Sequence, residues 1–123
     1  MATILIVEDN EMNRDMLSRR LERAGYRVLI AITAGDGVAL ARAERPDLVL
    51  MDLSLPDMDG RDATRELKSD GSTQGIPVIA LTAHAMQADR ESSLAAGCID
   101  FETTPVDFPR LTEKIAKVLG GSG

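Results

Sequence analysis

Apolar residues along this chain fall into short solid runs separated by longer stretches of helical period. Thr3-Ile4-Leu5-Ile6-Val7 is a solid run, closed by Glu8-Asp9-Asn10. Leu48-Val49-Leu50-Met51 is another, closed by Asp52, and Val78-Ile79-Ala80-Leu81 is closed by Thr82-Ala83. Runs this short and this apolar suit strands buried on both faces, as in a parallel sheet. Residues 26–30 and the shorter, more polar 99–102 read as two further strands, the latter at an edge.

Between the runs the period changes. Residues 11–24 place Leu17, Leu21 and Ala24 at i, i+4 and i+7, the core face of a helix that Gly25 would cap. Residues 35–44 form a helix packed by Val38, Ala39 and Ala41 and stopped at Arg45-Pro46. Residues 59–68, with Ala63 and Leu67 inward, and 86–96, ended by Gly97, read likewise. The last helix begins near 107–109, with Asp107 as cap, Pro109 in the first turn and Leu111, Ile115 and Val118 inward. Alternating strands and helices predict an α/β domain: a doubly wound, five-stranded parallel sheet covered on both faces. Right-handed crossovers leave 2-1-3-4-5 as the strand order. The domain is expected over residues 1–119, with 120–123 a flexible tail.

Composition narrows the classes. The chain has 123 residues, the length of one domain. Only 2% are aromatic, so the core is aliphatic and base-stacking platforms are not expected. A formal net charge of −6 argues against general binding to nucleic acid or to an anionic membrane, and suits a site that collects a cation. Cys98 is the one cysteine, which excludes an internal disulfide; it reads as a small, semi-buried apolar residue. MATILIVED lacks a basic leader region, and no apolar run is long enough to span a membrane. The expected location is the cytoplasm.

Chemistry enters at the strand ends. Ligands of open α/β sheets bind beyond the carboxyl ends of the strands, at the switch point of the strand order. Asp52 taken alone is equally readable as a turn or capping residue. In the order 2-1-3-4-5, however, the first and third strands are neighbours, so Glu8, Asp9 and Asp52 converge. Three close carboxylates repel and raise one another's pKa unless a cation intervenes. Oxygen ligands of this kind suit Mg²⁺. His84, the only histidine, cannot make a zinc site and reads as a surface loop residue.

ILIVEDN, DLVLMDLSLPDMDG, VIALTA and the Asp100-Phe101…Pro105 segment together resemble the receiver domain of two-component response regulators. The resemblance covers essentially the whole chain and is nearest to stand-alone, single-domain receivers of the cell-division type. It implies a flavodoxin-like three-layer sandwich. It also implies that Asp52 is the phosphoacceptor, taking a phosphoryl group from a kinase phosphohistidine. Mg²⁺ would be held by Asp9, Asp52 and the Ser54 backbone carbonyl, with Glu8 acting through water. Thr82 and Phe101 would form the switch. One position departs from the family, which carries a lysine where this chain has Thr104. The pocket should therefore be more acidic, bind Mg²⁺ at least as well, and be phosphorylated more slowly or with weaker coupling to Thr82 and Phe101.

Met12, Met16, Arg19 and Arg23 form a stripe beside the core face of the first helix. It reads either as the margin of the core or as a docking surface for a histidine kinase or phosphotransfer protein, with Pro105 and Val106 beside it. The chain has no room for an attached output domain, so output is expected through a downstream protein partner. The domain is a signalling module, not an enzyme beyond self-assisted phosphorylation and dephosphorylation. The competing reading is a phosphorylation-independent pseudo-receiver acting as a scaffold. A small Mg²⁺-dependent phosphohydrolase of similar topology is disfavoured by the lack of a second catalytic aspartate after Asp52.

Overall fold

The computed structural model describes residues 1–83 and 86–120. In chain order the elements are β1 (Thr3–Val7), α1 (Glu11–Arg23), β2 (Arg27–Ala31), α2 (Ala34–Glu44), β3 (Leu48–Asp52), α3 (Gly60–Ser69), β4 (Val78–Thr82), α4 (Gln87–Ala96), β5 (Asp100–Thr103) and α5 (Phe108–Val118). The sheet is parallel in the order β2-β1-β3-β4-β5. This is the fold expected from the alternation of periods.

Each central strand alternates between two aliphatic layers. Ile4, Ile6, Leu48, Leu50, Ile79 and Leu81 pack with Leu17 and Leu21 of α1 and Leu111 and Ile115 of α5. Leu5, Val7, Val49, Met51, Val78 and Ala80 pack on the other side with Val38 and Ala41 of α2, Ala63 and Leu67 of α3, and Cys98. Truncating a residue such as fully buried Leu50 to alanine would cost about 2–5 kcal/mol through lost transfer energy and the remaining cavity.

Helix starts are fixed by polar side chains. Asn10, Thr33, Asp59 and Asp107 cap α1, α2, α3 and α5, each accepting a main-chain N–H from the first turn. Asn10 is the residue after Glu8-Asp9, so the cap that starts α1 also ends the acidic strand tip.

Several inward positions differ from the sequence reading. Ala24 is exposed and lies past the helix, where its N–H still reaches Arg20 and Leu21 while the chain turns at Gly25 with φ 99°. Ala39 is exposed because the buried face of α2 runs through Ala34, Val38 and Ala41 at helical spacing. Val118, in the last turn of α5, is half-buried and packs against the core as expected. β2 is the second edge, and Ile30 and Ile32 stand exposed there. His84 and the tail beyond Gly120 lie outside the described residues.

Candidate functional site

β1 and β3 are direct neighbours, with Val7 level with Met51. The residues that follow, Glu8 on one strand and Asp52 on the other, therefore leave the sheet side by side. Glu8, Asp9 and Asp52 each offer a carboxylate oxygen, and these oxygens all lie within 4.8 Å of one another. Glu8 is buried, Asp52 half-buried and Asp9 exposed, so the cluster grades from the core to the surface.

Among the described residues no lysine or arginine forms an ion pair with the cluster's carboxylates. Burial pushes the Glu8 carboxyl up, and a hydrogen bond and charge repulsion from Asp52 add to that. The Asn13 side chain and the Asn10 main chain pull partly the other way, and the result is about 8. Glu8 Oε2 is buried without a hydrogen-bond partner. A buried carboxylate oxygen facing two more carboxylates is the donor set of a hard divalent cation, so the residues present fit Mg²⁺.

The segment after Asp52 is tightly held. The Ser54 N–H donates to Asp52 Oδ1 at 3.1 Å. Gly60 lies so close to the Asp52 and Leu53 main chain that a Cβ there would run into the Asp52 carbonyl oxygen. This is a close approach only glycine permits. Asp57 Oδ1 and Oδ2 accept the N–H groups of Ala34 and Gly35 at 2.8 and 2.9 Å, tying the loop to the start of α2. Those bonds lower the Asp57 pKa.

Thr82 ends β4 one residue beyond Leu81, the partner of Asp52, and is buried. Its carbonyl accepts the Thr104 N–H at 2.8 Å and the Thr104 hydroxyl at 3.4 Å. Phe101 of β5 is half-buried against the layer that faces α2 and α3. The lysines lie elsewhere: Lys68 donates to Gln74 and Ile76 carbonyls, and Lys114 to Asp100 and Glu102.

Met12 and Met16 are 72% and 46% exposed. Met16 lines a cup of about 30 Å³ with Asn13, Leu17, Thr104, Pro105, Val106 and Phe108. Met12 and Arg19 line a broader depression toward Ile30, and Arg23 lines another beside Phe108. Arg20 stacks on the Phe108 ring at 4.6 Å, holding α1 against the start of α5.

Sequence reasoning missed two groups. Glu102 is buried in β5 and pairs with Arg110 at 3.0 Å and Lys114 at 2.6 Å. Arg61 bridges Asp59 and Asp89 at 2.8 and 3.0 Å. Neither left a local signal: Arg110 and Lys114 lie on the helix after β5, and Asp89 is 28 residues from Arg61.

A family model described as the response regulator receiver domain matches residues 4–116. The chain belongs to this family. As a receiver it is a signalling domain of two-component systems, a class that works with kinases or phosphotransfer proteins and with downstream targets. It is 45% identical over 121 residues to protein PilH of Pseudomonas aeruginosa, covering 98% of this receiver and all of that protein. It is 40% identical over 118 residues to the polar-differentiation response regulator DivK of Brucella anthropi, covering 96% of each. Among solved structures, the receiver domain of a Pseudomonas aeruginosa sensor histidine kinase matches with a TM-score of 0.90 and 38% identity, over 97% of this chain and 98% of that one. That structure is described with magnesium coordinated in its active-site cleft. No helix among the described residues is long and apolar enough to cross a membrane.

Proposed function

We propose that this receiver is a phosphorylation-controlled switch with Asp52 as phosphoacceptor. An Asp52 carboxylate oxygen attacks the phosphorus of a partner phosphohistidine. A P–O bond forms, the P–N bond breaks, and the histidine nitrogen keeps the electron pair. The observation that carries this reading is the cluster of Glu8, Asp9 and Asp52 carboxylates at neighbouring strand tips. Asp9, Asp52 and the Ser54 carbonyl would hold Mg²⁺, with Glu8 acting through water. The ion, when bound, offsets charge on the phosphoryl oxygens.

Thr104 supplies a hydroxyl where the family resemblance implies a lysine, so the site has one positive charge fewer. Thr82 and Phe101 are the elements that would respond to the phosphoryl group, passing the change toward α4, β5 and α5. Docking of a histidine kinase or phosphotransfer protein is assigned to exposed Met12, Met16, Arg19 and Arg23, with Pro105 and Val106 completing the cup beside Met16. Output is through a protein partner, in the cytoplasm.

The test is to incubate the protein with acetyl phosphate and Mg²⁺ and follow aspartyl phosphate by mass. Wild type should gain one phosphoryl group that base and hydroxylamine remove, and Asp52→Asn none. Thr104→Lys should gain it faster. Absence of the modification in wild type under every donor would leave the scaffold reading in its place.

A further inference from the structure

The loop that carries Asp52 out of the sheet is fastened on both flanks, and the second fastening reaches a different helix. Arg61 follows Gly60, the residue pressed against the Asp52 main chain. Its guanidinium uses Nη1 on Asp59 at 2.8 Å, Nε on the Ser92 hydroxyl at 2.7 Å and Nη2 on Asp89 at 3.0 Å. Its side chain is only 20% exposed, although it carries a full charge. Asp89 and Ser92 belong to α4.

Among the described residues, helix α4 buries few side chains of its own. Its fully buried residues are Ser93 and Ala96, both small. Its N-cap is Met86, which offers no side-chain cap, and its last turn has no basic residue. Asp89, the acidic residue of its first turn, is the one Arg61 engages. The planar fork of a guanidinium fixes the directions of its donors, so all three bonds hold only when the first turn of α3 and the first two turns of α4 keep one relative placement. The first turn of α3 in turn cannot move independently of Asp52, because Gly60 N–H donates to the Leu53 carbonyl and the two backbones are in contact.

We propose that Arg61 is a positioning residue that couples the state of Asp52 to α4, by a route separate from Thr82 and Phe101. The inference rests on the reading of Asp52 as phosphoacceptor. A change in the backbone at Asp52 is handed through Gly60 to Arg61. The helix then either follows its guanidinium or is released from it.

The experiment compares wild type, Arg61→Met and Asp89→Asn by amide hydrogen exchange, each with and without beryllofluoride and Mg²⁺ as the phosphoryl mimic. Acetyl phosphate labelling of Asp52 is run in parallel. Arg61→Met keeps the unbranched stem and the N–H that Asp59 caps. Losing its charge-assisted bonds should raise exchange of α4 amides about tenfold without ligand. The ligand-induced change in α4 should then disappear, while Asp52 is still labelled within about twofold of wild type. Asp89→Asn should do the same in weaker form and add little to Arg61→Met. A normal α4 response in labelled Arg61→Met, or full additivity of the two substitutions, overturns the coupling role while leaving the phosphoacceptor intact. No labelling and no response anywhere in wild type removes both.

Discussion

Two glutamates lie equally deep in this protein and have opposite surroundings. Glu8 at the tip of β1 and Glu102 in β5 are each 2% exposed. Glu102 meets Arg110 through a forked contact and Lys114 at 2.6 Å. Burial pulls the Lys114 pKa down, but its bonds to Glu102 and Asp100 outweigh that and raise it overall. Glu8 instead faces Asp9 and Asp52, keeps an unpartnered oxygen and holds its proton to about pH 8. Depth therefore does not separate a structural charge from a functional one. The sign of the neighbours does: the matched group fastens β5 to α5, and in the function proposed above the mismatched group lies where a cation would bind.

The contrast can be broken from either side. The largest effect should come at the mismatched end, where Glu8→Gln weakens Mg²⁺ binding about 10–100-fold, as removal of an outer ligand does, measured by calorimetry at neutral pH. At the matched end, Lys114→Met leaves Glu102 buried with only Arg110 as partner. This should cost about 2 kcal/mol in urea unfolding, below the usual range for a broken buried pair because one cation remains. Mg²⁺ affinity should be unchanged.

A pH series sharpens the same point. Glu8 holds a proton in the folded state that the unfolded chain releases near 4.5. Stability of the metal-free protein should therefore fall as pH rises from about 4.5 to about 8, and Mg²⁺ or Glu8→Gln should flatten that slope. The smallest effect belongs to Asp57, whose pKa is lowered by the α2 N–H groups. Its contribution is present above the unfolded carboxylate pKa and lost as pH falls through the folded one. Asp57→Asn should thus lower the melting midpoint slightly at pH 7 and not at all in strong acid.

The strand runs and their acidic closures were legible because both depend on local sequence. A solid aliphatic run has few structures open to it, and neighbouring β1 and β3 bring Glu8 and Asp52 together whatever the loops do. What escaped was set by contacts between distant segments. Glu102 looked like one more polar residue of an edge strand, since nothing near it in sequence shows that Arg110 and Lys114 will fold over it. Ala24 fits the helical period but is the cap beyond the helix, and Ala39 sits one residue off the buried stripe of α2; alanine is small enough to be placed on either side of such a boundary. Arg61 lies in a stretch that is polar for reasons of solubility alone, until α4 is packed beside it.

The sheet itself acts as a bulkhead. Ile4, Ile6, Leu48, Leu50, Ile79 and Leu81 on one side and Leu5, Val7, Val49, Met51, Val78 and Ala80 on the other fill its middle with side chains that have no polar atom to rearrange. On the function proposed above, a signal between the α1 side and the α4 side would travel around the rim, past Asp52, Thr82 and Thr104. Substitutions in the wall should then alter how firmly the molecule holds together, and substitutions along the rim should alter what one side learns of the other.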